Sequence, residues 1–272
     1  MAWQLKKIPK ILHVYWGGGP LSYLRFLTVK SFMKYNPVWE IRYYYPTHPT
    51  MEMSWWSEEQ KTIVPVTDYT PQLLELPITK IAVDFEEIGF KNTMPEVHKS
   101  DVLRLLLLST VGGVWSDMDI LYFKPMDLLY FNKRKNSKIE TIYCNRLYGH
   151  SIGFLLSSNN NKIFAHLLDW SKKSYNPLYY QTVGVQLYNN FYRHPGTIEA
   201  KTPAINMSIN VVYAHQAAQT EELFGNEPKF TDESIGIHWY GGDAVWKDFL
   251  TKTDGGSKNL PDCIISDLIK QI

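Results

Sequence analysis

The chain has 272 residues, 44% hydrophobic and 14% aromatic, enough to bury a sizeable core in a single domain over 1–272. Twenty-eight Lys and Arg against 27 Asp and Glu give a net charge of +1, which excludes a general nucleic-acid binder with a basic face. Two cysteines, Cys144 and Cys263, are too few for a disulfide framework and lack metal-ligand spacing, so a reducing, cytoplasmic setting is expected.

In chain order, Lys6, Lys7 and Lys10 precede an apolar run from Ile11 to Trp16 that His13 interrupts, too short for a secretory signal. Arg104 breaks the best candidate for a long apolar stretch, so no transmembrane anchor is expected. The segment IPKILHVYWGGG, residues 8–19, predicts a buried strand entering a glycine loop, and Pro20 opens a helix to about Asn36. Glycines at a strand's end let backbone N–H groups approach phosphate or ribose. Ser22 stands where the third glycine of a dinucleotide fingerprint would fall, and no Gly-Lys-Ser/Thr phosphate loop occurs. Val14, Tyr15 and Trp16 are the candidate nucleotide contacts, the tryptophan beside three glycines being well placed for a flat ligand.

Residues 36–45 (NPVWEIRYYY) predict a turn and a second strand, 51–60 a loop or short helix, and 62–66 a strand. Pro65, Pro71 and Pro77 punctuate the connection that follows, and 78–90 has no clear assignment. From Ser100, a helix cap, Leu103, Leu106, Leu107 and Thr110 repeat at helical spacing until Gly112 and Gly113. Val114, Trp115 and Ile120 then predict a strand whose Asp117 and Asp119 project from one face at its carboxyl end, with Met118 pointing away. Two carboxylates on one face repel unless a cation joins them, and Mg²⁺ or Mn²⁺ takes such hard oxygen ligands together with phosphates. A bare Asp-x-Asp is common by chance. Asp101 and Arg104, three apart on the preceding helix, add context, because a guanidinium among leucines needs a partner.

The composite SDVLR at 100–104 followed by GGVWSDMD at 112–119 resembles the glycosyltransferases with a DXD-containing sugar-binding region, among them the fungal initiating mannosyltransferases and, more remotely, the glucosylating clostridial toxins. The resemblance extends over residues 8–125, including the opening IPKIxH and the NPxWE at 36–40. It implies an α/β fold of the GT-A type, a central mixed sheet flanked by helices, with residues 1–125 as the nucleotide-sugar half and 126–272 as the acceptor half. It also implies transfer of a hexose from UDP- or GDP-hexose to a glycan or protein acceptor, with retention. In that reading Trp16 stacks on the base, Asp117 holds ribose or sugar, Asp119 binds Mn²⁺ or Mg²⁺, and Asp101 and Arg104 grip sugar hydroxyls.

Beyond the motif, residues 139–144 and 151–157 predict strands, and 163–173 and 181–192 predict helices. His150 and Gln186 are candidate contacts to the reacting sugar. Near the end, GIHWYGGDAVWK at 236–247 is similar to the family's His-x-Trp-x-Gly ending, making His238 a candidate third metal ligand and Asp117 a possible companion. Gly242 and Asp243 depart from the Ser-Trp with which close members continue. Lys247 is a candidate phosphate contact, and 260–272 predicts a closing helix. Two other readings of the acids are a DXD-type phosphohydrolase and a non-catalytic sugar-binding module. Against the first, Leu121 stands where it would place Thr or Val, and the motif lies mid-chain.

Overall fold

The computed structural model describes residues 8–50, 67–126, 140–146, 149–193, 204–243, 245–246, 249–250 and 260–272. The expected segments at 51–60 and 62–66, and Lys247, lie outside the described residues.

Strand β1 (Ile11–Tyr15) leads into helix α1 (Tyr23–Tyr35), which begins after Ser22 rather than at Pro20, and then β2 (Glu40–Pro46). A short helix α2 (Thr70–Glu75) precedes the unassigned stretch, which forms β3 (Thr79–Val83) and a one-turn helix α3 (Phe85–Ile88). Asp84 caps that turn by accepting from the Glu86 amide at 2.9 Å. Helix α4 (Glu96–Thr110) starts four residues before the cap read from sequence, with Pro95 at the boundary, so Ser100 sits in its second turn. Proline fixes the entry dihedral and has no N–H to leave orphaned, which overrides the weaker serine signal.

Gly112 and Gly113 follow at φ +72° and +102°, and a Cβ on Gly112 would stand 2.5 Å from the backbone at Ser158 and Asn159. The chain enters β4 (Gly113–Ser116) and, after a turn, β5 (Ile120–Tyr122). Asp117 and Asp119 therefore lie in the turn between two strands, not on one strand face. Next come β6 (Thr141–Arg146), β7 (Gly149–Ser157), α5 (Lys162–Ser174) and α6 (Val185–Arg193). Asn161 caps α5 by accepting from the amides of Ile163 and Phe164. A short β8 (Ala204–Asn206), two 3₁₀ turns at Ile209–Val211 and Ala217–Phe224, β9 (Gly236–His238) and α7 (Ile264–Lys270) complete the order.

Among the described residues the main sheet runs β3-β2-β1-β4-β7-β6-β8, and β5 pairs with β9 in a second sheet. The first four strands are parallel and β7 runs against β4, so the sheet is mixed. Both faces are covered. Leu12, Val14, Val114 and Leu156 join the core that includes α1, while Tyr15, Trp115 and Leu155 alternate to the core of α4, α5 and α6. His13 is buried in this frame, bonded to the Gly112 carbonyl at 2.8 Å and Tyr44 at 3.0 Å, and burial lowers its pKa to about 4, keeping the ring neutral. Both cysteines are buried, and no disulfide joins them. Among the described residues no helix is long and apolar enough to cross a membrane.

Candidate active site

The turn between β4 and β5 is fixed by its neighbours. From α1, the Thr28 hydroxyl donates to the Met118 carbonyl at 2.9 Å, and Ser31 accepts from the Tyr122 amide at 3.0 Å. These residues are three apart on one helix face, so α1 grips the turn and the start of β5 together. The Asp117 amide donates to the Gly153 carbonyl of β7 at 2.7 Å.

The carboxylate of Asp117 accepts from the Trp115 indole at 2.7 Å and from Arg104 at 3.2 Å. Arg104 also bonds Asp101 at 2.9 Å and the Ile152 carbonyl at 2.7 Å, and its guanidinium lies 5.0 Å over the Trp115 ring. Asp101 and Arg104, three apart in sequence, are thus both buried rather than a surface pair. Burial raises the Asp101 pKa to about 7, a shift that Arg104 opposes and Asp117 reinforces. Gly184 abuts this acid: a Cβ there would meet Asp101 Oδ2 at 2.8 Å and Gln181 Oε1 at 2.7 Å.

Asp119 has a different set of neighbours. Its Oδ2 accepts from the Gly241 amide at 3.0 Å, and its Oδ1 lies 3.2 Å from His238 Nε2, buried and without a hydrogen bond. Pairing of β5 with β9 sets Ile120 opposite His238, and this delivers the ring to the acids. Asp117, Asp119 and His238 offer ligand atoms within 4.8 Å of one another. A Cβ on Gly153 would stand 2.8 Å from Asp117 Oδ2 and 3.0 Å from His238 Nε2, so the glycine keeps that space open. An orphaned buried carboxylate oxygen, a second carboxylate and an imidazole nitrogen fit a hard divalent cation. Two of the three groups, Asp117 and Asp119, are carboxylates, and one guanidinium, Arg104, lies on Asp117. The Tyr240 amide donates to His238 Nδ1 at 3.2 Å, which places the neutral ring's proton on Nε2. Ligation through Nε2 would move that proton to Nδ1 and require the Tyr240 amide to turn away. Tyr240 stands at φ +52°, a strained backbone beside the site.

Trp16 lies at the end of β1, partly buried, with its indole N–H on the Gly19 carbonyl at 2.9 Å and one ring face covered by the Arg25 guanidinium at 4.3 Å. Arg25 also lies 5.4 Å over Trp239, joining the Trp16 end of β1 to the His238 segment. The side chains of Val14 and Tyr15 are buried in the two cores, and the Tyr15 hydroxyl donates to Glu96 at 2.5 Å. Gln186 is exposed in the first turn of α6, and His150 lies on β7 with its side chain outside the description. Sequence reading missed Trp115, Gly153 and Gly184 as site residues. A glycine inside the apolar run of β7 was the available signal for Gly153.

Residues 28–136 match the family described as glycosyltransferase sugar-binding region containing DXD motif. Among solved structures, the chain is similar to the PaToxG glycosyltransferase, with 19% identity over 70% of each chain and a TM-score of 0.50. It also aligns with the galactosyltransferase LgtC in complex with donor and acceptor sugar analogs, at 15% identity over 93% of this chain and 98% of that one, TM-score 0.47. The glycosyltransferase GlyE of Streptococcus pneumoniae TIGR4 aligns at 13% identity over 85% of this chain and 54% of that one, TM-score 0.44. No curated protein matches the chain. The fold is that of GT-A glycosyltransferases. Residues 28–136 carry the DXD-containing sugar-binding region of that family.

Proposed function

We propose that the chain transfers a hexose from a nucleoside-diphosphate sugar, UDP- or GDP-linked, to an acceptor hydroxyl on a glycan or protein, with the retention its family resemblance implies. The observation that carries this reading is the convergence of Asp117, Asp119 and His238 beside the Asp101–Arg104 pair. Asp119 and His238 would hold Mn²⁺ or Mg²⁺, with Asp117 either completing the set or binding ribose. Such a cation supplies counter-charge to a departing diphosphate. Arg104, locked between Asp101 and Asp117, holds both carboxylates in fixed directions toward sugar hydroxyls. Trp16, with one face resting on Arg25, stacks the base on the other. His150 and Gln186 stay candidate sugar contacts and Lys247 a candidate phosphate contact. The phosphohydrolase reading fares worse, because Leu121 stands where it would place Thr or Val and the motif lies mid-chain.

Calorimetry with UDP and GDP, with and without Mn²⁺, tests the reading together with hydrolysis of the matching sugar nucleotides. Cation-dependent binding of one nucleotide is expected. Saccharide binding that needs neither nucleotide nor metal would favour a sugar-binding module instead.

A further inference from the structure

Between α5 and α6 the chain shows aromatic surface beside the acids. Leu178, Tyr179 and Tyr180 are 78%, 62% and 45% exposed, three consecutive large apolar residues where such residues are normally covered. The loop that carries them is built. Asn176 accepts from the Leu178 amide at 3.0 Å, Thr182 accepts from the Asn176 amide at 3.0 Å, and the Thr182 amide closes on the Tyr179 carbonyl at 3.1 Å. His98 donates from Nε2 to the Tyr180 carbonyl at 3.0 Å while its Nδ1 accepts from the Tyr175 hydroxyl at 3.1 Å. That histidine sits one turn before Asp101 on α4, so one helix positions both the acids and the loop.

Two observations place the loop next to the acids. Gly184, at its end, lies against Asp101 Oδ2 with Gln181 alongside. Tyr180 stands in a recess: though nearly half its surface is open, the surrounding protein, and then the charges of Asp101, Asp117 and Asp119, raise its phenol to about 12. The chemistry of the loop is also one-sided. From Ser174 to Tyr192 there is no charged residue, only aromatic, aliphatic and neutral polar side chains, in a chain that is 20% charged. A charged acceptor brought here would find no counter-charge along this segment. A pyranose presents an apolar C–H face to a ring and hydroxyls to neutral amides, which is what Tyr179, Tyr180, Gln181 and the exposed Gln186 offer.

We propose that residues 177–181 form the acceptor platform and that the acceptor is a neutral carbohydrate, stacked on Tyr179 and Tyr180. This rests on the transferase reading above and narrows its acceptor. The test offers UDP- and GDP-hexoses with Mn²⁺ to a panel of labelled neutral oligosaccharides and to a panel of Ser/Thr peptides, and measures transfer against donor hydrolysis. Saccharide labelling is expected, and Tyr179→Ala should lower the ratio of transfer to hydrolysis at least tenfold by raising the acceptor KM, with Tyr179→Phe restoring it. Peptide labelling in place of saccharide labelling, or a ratio unmoved by Tyr179→Ala and by the Tyr179→Ala/Tyr180→Ala pair, overturns the proposal. Saturation-transfer NMR with the same oligosaccharides and no donor separates the two readings. Wild-type binding that Tyr179→Ala abolishes, without any donor turnover, upholds the platform and sinks the transferase. Absence of binding and of saccharide labelling by the wild type sinks the platform.

Discussion

Asp119 has one oxygen satisfied by Gly241 and the other, without a hydrogen bond among the described residues, 3.2 Å from His238 Nε2, where a cation would join the two. Asp119→Asn should fold, since it relieves repulsion among the acids, yet lose two to three powers of ten in turnover, roughly 3 to 4 kcal/mol of transition-state stabilisation. Turnover against Mn²⁺ concentration, at matched thermal stability, checks this. Asp101 gives a pH signature of opposite sense to most acids. Its folded pKa, raised to about 7, exceeds the ordinary value of 3.8, so the folded chain holds an extra proton between them. Stability from this group is complete below the lower value, falls as pH rises toward 7, and is flat above. Subtracting the stability profile of Asp101→Asn from that of the wild type should reveal that fall, whereas a difference rising with pH would contradict the shift. At Trp16 the expected loss on Trp16→Ala is about 1 to 3 kcal/mol of nucleotide affinity, if stacking there matches other base platforms. Unchanged nucleotide affinity in a folded variant would refute base stacking.

Two glycines show how strand and turn geometry reach the chemistry. Gly153→Ala would push a methyl group against the ends of Asp117 and His238, which are able to shift. Metal affinity should therefore fall at least tenfold, read by Mn²⁺ titration, with little change in melting temperature. Gly112→Ala instead meets backbone on the far side and carries φ +72°, so it should destabilise the fold by more than ~2 kcal/mol, read by denaturant unfolding. Both glycines of the 112–113 pair were legible because they follow a periodic helix. Gly153 was not legible as a spacer, since its role depends on β7 lying antiparallel to β4, a pairing set by long-range contacts. The same limit explains the acids. Alternation places Asp117 and Asp119 on one face only if a strand continues through them, whereas the chain turns there, with Met118 and Tyr122 hydrogen-bonded to α1. The Asp101–Arg104 pairing was readable from a spacing of three, but its burial depends on the packing around α4. Proline at position 95 was visible and outweighs Ser100 as the helix start, a matter of ranking local signals.

At the scale of the molecule, the candidate cation site joins segments from distant parts of the chain, and an ion bound only by the folded state shifts the unfolding equilibrium. Saturation at a hundred times its dissociation constant should add about 2.7 kcal/mol. Thermal unfolding with and without Mn²⁺ should show the shift in the wild type and none in Asp119→Asn. The bond from the Gly241 amide to Asp119 spans 122 residues of sequence, and β9 reaches β5 only after all the intervening chain has been made. During synthesis the acids are therefore in place well before the histidine that completes their cluster. A nascent chain displays the acidic turn without His238, and the cluster of three forms only when β9 zips onto β5.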